Sequence, residues 1–147
     1  QNLDEEMEMI EPARKGTLNV LRAAHRQEAV KRVVVTSSTA AVCFGHALDR
    51  TEPYTEEDWS DLNGPLIRAY DKSKTLAEKA AWEYCEKEKP GYALSVINPS
   101  VVLGPVANAN VGSSMKLIKA TLDSKHPVCT GARVRVVDIR DVVQAHI

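Results

Sequence analysis

Tyr70 and Lys74 lie in the run Tyr70-Asp71-Lys72-Ser73-Lys74, a spacing that puts a phenol and an ammonium on one helix face about one turn apart. A tyrosine hydroxyl titrates near ~10 in water and a neighbouring cation favours the phenolate, so such a pair suits proton transfer to or from an oxygen. Taken alone, the pair reads more simply as an ordinary amphipathic contact with Lys74 on a wet face. Ser38 changes that balance. It follows the β-branched run Val33-Val34-Val35-Thr36, and the carboxyl end of a parallel strand is where open α/β sheets bind ligands. A hydroxyl there could hold the carbonyl or alcohol oxygen on which the tyrosine acts. Thr36 or Ser37 could take that part instead, or all three could bond only the backbone.

Other chemistries find less support. His25, His46, His126 and His146 are scattered, with no HExxH or triad-like spacing, and no serine stands in G-x-S-x-G. Asp138 and Asp141 read as capping and surface charge, so no metal site is expected. Trp59 and Trp82 read as packing residues. Cys43, Cys85 and Cys129 never form C-x-x-C, which fits a reduced, cytoplasmic compartment. The 19 basic and 20 acidic side chains give a net charge of -1, which exerts no general pull toward nucleic acid or an anionic membrane. The one basic cluster, Arg133, Arg135 and Arg140, is broken by Asp138 and Asp141. Apolar runs are far short of the ~20 residues of a membrane span, and the acidic stretch from Gln1 to Glu11 is no secretory leader. Both ends of the chain read as cut, because it opens inside a helical pattern without Met and stops on the apolar Ile147.

The elements that must position Tyr70, Lys74 and Ser38 follow from periodicity. A first helix is predicted with Asp4 as its cap, Pro12 as a kink or boundary, and Ile10, Ala13, Thr17, Val20, Leu21 and Ala24 on its inner face. Gly16 within it is either a tolerated weak point or a place of close approach. The strand at Val33 to Thr36 lacks alternation, as expected of a strand covered on both faces. Gly45 to Gly64 reads as a long loop with a helical turn at Thr55 to Trp59, capped by Thr55 and closed by Asp58. A helix is predicted from about Leu66 to Lys87, stopped by Pro90-Gly91, and then a second buried strand at Ala93 to Ile97. Asn98 to Pro105 reads as a loop stiffened by Pro99 and Pro105, with Val101 or Val102 available as a wall for a flat ring. Ser114 to Asp123 is a predicted helix with Met115, Ile118 and Leu122 inward, followed by a strand at Arg133 to Val137 and a helix after Asp138. Helix, strand, helix, strand in this order predicts an α/β fold, part of a Rossmann-type doubly wound parallel sheet. Residues 1–105 are expected to form the C-terminal half of a dinucleotide-binding domain. Residues 106–147 are expected to hold the beginning of a smaller substrate-binding lobe and the return to the main sheet.

Five stretches carry a family resemblance in order along the chain: Gly16 to Leu21 (GTLNVL), Val33 to Ser38 (VVVTSS), Tyr70 to Lys74 with Ala77-Glu78, Asn98 to Pro105 (NPSVVLGP), and Val137 to His146 (VDIRDVVQAH). The chain resembles the extended short-chain dehydrogenase/reductase family, in the branch of dihydroflavonol 4-reductases and cinnamoyl-CoA reductases. That resemblance implies that Tyr70 is the acid/base giving a proton to a carbonyl oxygen while a nicotinamide delivers hydride. It implies that Lys74 binds the nicotinamide ribose hydroxyls and lowers the tyrosine pKa, and that Ser38 polarises the substrate. Pro99, Ser100, Val101 and Val102 match the segment lying against the nicotinamide end of the cofactor. The implied enzyme is a carbonyl reductase of an aldehyde or ketone, using NADP(H) in preference to NAD(H), as a monomer or homodimer. A sugar-nucleotide epimerase or dehydratase, or a cofactor-sensing protein without turnover, would use the same fold. The family's Gly-rich phosphate loop has no counterpart in these residues, so the segment alone is expected to be inactive and to bind cofactor poorly.

Overall fold

The α/β organisation expected from the alternation of helical and β-branched runs is the one observed in the computed structural model, which describes residues 3–47, 49–106, 112–123 and 134–147. The elements are α1 (Leu3–His25), β1 (Arg32–Thr36), a 3-10 turn (Thr39–Ala41), α2 (Ala69–Glu88), β2 (Ala93–Ile97), β3 (Val101–Leu103), α3 (Ser113–Leu122), β4 (Val136–Asp138) and α4 (Ile139–Ala145). They fall into two compact units, Gln1–Asn98 and Pro99–Ile147. Among the described residues no helix is long and apolar enough to cross a membrane.

In the first unit β1 and β2 pair in parallel, from Arg32 opposite Ala93 to Thr36 opposite Ile97. Parallel neighbours need a long crossover, and α2 is part of it. Leu21 of α1, Ala81 of α2 and Tyr92 form a buried cluster on which Val33, Val35 and Leu94 pack. Among the described residues, α1 and α2 cover one face of these strands. Val33 and Val35 meet the helices, whereas Val34, pointing the other way, is 37% exposed. The Tyr92 hydroxyl donates to the Leu21 carbonyl at 3.2 Å, which ties the start of β2 to α1.

α1 departs from its prediction at its start and on its inner face. It starts before Asp4, which lies inside the helix rather than capping it, and of the two readings of Pro12 the boundary is excluded, since the helix contains it. Pro12 is exposed, where water can serve the carbonyl that loses its helical partner. Val20 faces solvent, and Leu21 is the buried member of that pair. A Cβ at Gly16 would meet nothing within 4 Å, so close approach does not explain this glycine. α2 begins later than predicted, at Ala69, because Leu66 takes a left-handed φ of 61°. It ends at Glu88 with Lys89 left-handed and the Lys89 N–H bonded to the Cys85 carbonyl at 3.0 Å, just before Pro90-Gly91.

In the second unit β3 and β4 pair in parallel, Val101 opposite Val136 through Leu103 opposite Asp138. Val101 to Leu103 is thus a strand, not the loop predicted. A run of three residues is too short to show a period, and its partner is remote in sequence. Gly104 leaves β3 at a φ of 142°, and a Cβ there would run into the Ile139 side chain. Asp138 caps α4, with Oδ1 accepting from the Arg140 N–H at 2.8 Å. In α3 Met115 and Ile118 are half-buried, whereas Leu122, expected inward, is 78% exposed near the helix end. His126, Cys129 and Arg133 lie outside the described residues.

Candidate active site

α2 carries Tyr70 and Lys74 in its first turns, and its amino terminus is held by an acid inside the helix. Asp71 is fully buried, and its Oδ2 accepts from the backbone N–H of Arg68 at 3.1 Å and from Arg68 Nε at 2.9 Å. Its Oδ1 accepts from Arg68 Nη2 at 2.8 Å. The hydrogen bond to Asp71 holds the Arg68 guanidinium above its ordinary range. Thr75 Oγ1 donates to the Asp71 carbonyl at 2.8 Å and Ser73 Oγ to the Tyr70 carbonyl at 2.7 Å, so the turn bearing the tyrosine is bonded from both sides.

Tyr70 points away from the buried face and is 45% exposed, with no hydrogen bond to its hydroxyl among the described residues. Lys74 Nζ lies 5.9 Å from the centroid of the Tyr70 ring, so the helical spacing does bring cation and phenol together. Lys74 also lines a cavity of about 150 Å³ with Ala13 and Thr17 of α1, Val35, Thr36 and Ser37 at the end of β1, and Ala77 and Glu78 of α2. The carboxyl end of β1 and the lysine of α2 therefore share one recess.

Ser38 follows directly. Its Oγ accepts from the Ala40 N–H at 3.1 Å and so caps the 3-10 turn Thr39–Ala41. A serine hydroxyl has one hydrogen to donate, and accepting from Ala40 leaves that hydrogen available to a substrate oxygen. The neighbouring Ser37 is buried, and its N–H donates to the Ile97 carbonyl at 2.8 Å, extending the β1–β2 ladder. The 3-10 turn is fastened in turn by Ser60, whose Oγ donates to the Ala40 carbonyl at 2.8 Å and accepts from the Phe44 N–H at 2.8 Å.

The loop between the serine and the tyrosine is more ordered than its composition suggests. Asp58 Oδ2 accepts from the Thr55 N–H at 2.8 Å, and Thr55 Oγ1 accepts from the Glu57 N–H at 3.3 Å, the reciprocal turn that the spacing predicted. Arg50 grips Asp58 with two bonds of 2.9 and 3.0 Å and lies 4.1 Å over the Tyr54 ring, a clamp for which the sequence carries no spacing signal. The Arg50 hydrogen bond holds the Asp58 carboxyl below its usual range. Gly45 and Gly64 meet backbone to backbone, and a Cβ on Gly45 would strike the Asp61 carbonyl. Cys43, Phe44, His46, Arg50, Tyr54 and Leu66 take part in lining a cavity of about 370 Å³ here.

In the other unit, Pro99, Ser100, Val101 and Val102 are half-buried, and both valines belong to the β3–β4 ladder. Two residues that sequence reasoning left without a role, Glu78 and Asn98, are hydrogen-bonded to each other at 2.7 Å. The available signal was a run of polar residues, Asp71, Thr75 and Glu78, at helical spacing on the buried side of α2.

Several known proteins are similar to this chain. A Candida albicans protein, provisionally named an NADPH-dependent methylglyoxal reductase, is 44% identical over 162 aligned positions, covering 98% of this chain and 46% of that protein. Anthocyanidin reductase of Vitis vinifera is 35% identical, over 98% of this chain and 46% of its own length. The crystal structure of yeast methylglyoxal/isovaleraldehyde reductase complexed with NADPH superposes with a TM-score of 0.75 at 29% identity, over 93% of this chain and 45% of that one. The chain thus spans about half the length of the curated relatives it matches. The family model described as NAD dependent epimerase/dehydratase matches residues 1–147, and with the shared fold and these relatives it establishes that the chain belongs to that family.

Proposed function

We propose that this chain forms the proton-transfer centre of a longer NADP(H)-dependent reductase of aldehydes or ketones, in the dihydroflavonol 4-reductase and cinnamoyl-CoA reductase-like branch. The observation that carries the reading is the Lys74 ammonium 5.9 Å from the Tyr70 ring, in a turn whose phenol hydroxyl is unengaged among the described residues. NADP(H) is preferred to NAD(H) because relatives are named for NADPH. The donor set fits the nicotinamide end of such a cofactor: an ammonium and hydroxyl-bearing residues line a recess of about 150 Å³ at the carboxyl end of β1. When bound, the nicotinamide supplies a hydride to the carbonyl carbon.

Each residue then has one task. Ser38 donates its free hydrogen to the substrate oxygen and holds it. Tyr70 gives its proton to that oxygen as charge develops there. Lys74 holds the ribose hydroxyls. Pro99, Ser100, Val101 and Val102 are assigned to the wall beside the nicotinamide. The substrate is a small carbonyl compound, and the working form of the enzyme is a monomer or homodimer in the cytoplasm. The reductase reading is preferred to an epimerase or dehydratase because the similar proteins described above are named as reductases.

The test is NADPH oxidation by the full-length enzyme against a panel of aldehydes and ketones, with Tyr70→Phe alongside. The variant is expected to lose about 100-fold or more in kcat/KM while remaining folded. Unchanged turnover in Tyr70→Phe, or none in the wild type, would overturn the assignment.

A further inference from the structure

The amide of Asn98, the residue after β2, is a fork between the two elements that carry the proposed chemistry. Its Nδ2 donates to Glu78 Oε2 at 2.7 Å and to the Ser38 carbonyl at 3.1 Å. The two amide hydrogens serve one acceptor each, so the separation of those acceptors is set by a single rigid group. Glu78 is 6% exposed and lies one turn beyond Lys74 on α2. A carboxyl group so buried must be hydrogen-bonded to be tolerated. Its second oxygen accepts from Trp82 Nε1 at 3.4 Å. Among the described residues no lysine or arginine pairs with it, so Asn98 and Trp82 are its partners.

This arrangement goes beyond packing because of where its ends lie. One end is the backbone of Ser38, whose Oγ among the described residues is held through the Ala40 N–H. The other is the face of α2 that lines the recess together with Lys74. The β1–β2 ladder fixes Ser37 through its bond to Ile97, but it does not reach Ser38. Beyond the end of the ladder, the Ser38 carbonyl accepts from the Ala41 N–H at 2.9 Å within the 3-10 turn, and Asn98 links that carbonyl to Glu78 of α2, beside a longer bond of 3.5 Å from Thr75 Oγ1 to the Ala40 carbonyl.

We infer that Asn98 and Glu78 are positioning residues, clamping the Ser38 peptide to α2 and thereby setting the Ser38 hydroxyl relative to Tyr70 and Lys74. The inference rests on the reductase reading. Displacing a polarising hydroxyl by about 1 Å costs roughly 100-fold in rate, with little change in cofactor binding. Substrate turnover should therefore suffer, and the KM for NADPH should not.

A double-mutant cycle in the full-length enzyme separates this from a general loss of structure. Wild type, Ser38→Ala, Asn98→Ala and the double variant are assayed with saturating NADPH and the best carbonyl substrate of the wild type. Asn98→Ala should lower kcat by roughly 10- to 100-fold when Ser38 is present, and by less than about 3-fold when it is absent. Glu78→Met should repeat that pattern, whereas Glu78→Gln, which keeps an acceptor oxygen, should stay within about 3-fold of wild type. Thermal unfolding identifies folded variants, and Asn98→Asp, of the same shape without the amide donor, replaces Asn98→Ala if the latter does not fold. Equal losses with and without Ser38, or no loss, would overturn the inference. An inactive wild type, or a Ser38→Ala variant as fast as wild type, would instead show that the reading beneath it is wrong.

Discussion

At the residue scale, the difference between Tyr70 and Tyr92 illustrates how surroundings divide one side-chain type between tasks. Tyr92 is buried, donates to the Leu21 carbonyl, and has its phenol pushed up by burial. Tyr70 stands half in solvent beside a lysine, with its hydroxyl unengaged among the described residues. Acids divide in the same way. Hydrogen bonds from the Arg140 side chain and N–H bring the Asp138 carboxyl down to about 2 from an ordinary 3.8. A depressed carboxyl contributes its stabilisation above the unfolded value and loses it as pH falls through the folded one. The Asp138 cap should therefore hold down to about pH 4 and open toward pH 2. Carbon-detected NMR titration should give a midpoint of about 2 for Asp138, moving toward 3.8 in Arg140→Ala. An unmoved midpoint would show that Arg140 is not the cause.

At the element scale, α2 carries the proposed chemistry and is specified at both ends: by Asp71 gripping Arg68 at the start, and by left-handed Lys89 at the finish. Asp71 is the more consequential of the two because it is fully buried and accepts three hydrogen bonds. Replacing it by Ala strips the Arg68 N–H of its partner and frees the guanidinium. The expected cost is about 1–3 kcal/mol in urea unfolding, with Tyr70 and Lys74 loosened at the same time. A cost below about 0.5 kcal/mol would mean that water replaces the cap without penalty. The helix was legible from its spacing and from Pro90-Gly91. Its start was not, because the left-handed turn at Leu66 occupies a residue with no propensity for it. The strand Val101–Leu103 was missed for a different reason: parallel pairing with Val136–Asp138 is a long-range relation that no local window contains.

At the scale of the whole molecule, the 147 residues hold seven glycines, none of them in a G-x-x-G-x-x-G run. The amides that cradle a dinucleotide pyrophosphate come from such a loop and the helix it opens. Residues 1–147 by themselves should accordingly bind NADPH too weakly to be measured at micromolar concentrations by calorimetry. Micromolar affinity would mean that the ribose-side recess of Lys74 and Ser37 suffices for binding.

What the amino-acid sequence determined by itself is local: the helical adjacency of Tyr70 and Lys74, the β-branched strands, the Thr55–Asp58 turn, and the α/β alternation. Each follows from backbone sterics and side-chain period within a few residues. Only the tertiary structure decided that α1 and α2 pack on the Val33 and Val35 face of β1, that Arg50 clamps Asp58, and that Asn98 links Glu78 to Ser38. The Asn98 bonds span 20 and 60 positions of chain through buried or partly buried polar groups, and the Arg50–Asp58 pair, eight positions apart, depends on how its loop folds. Their partners are chosen by which elements pack together, and no spacing along the chain encodes that choice.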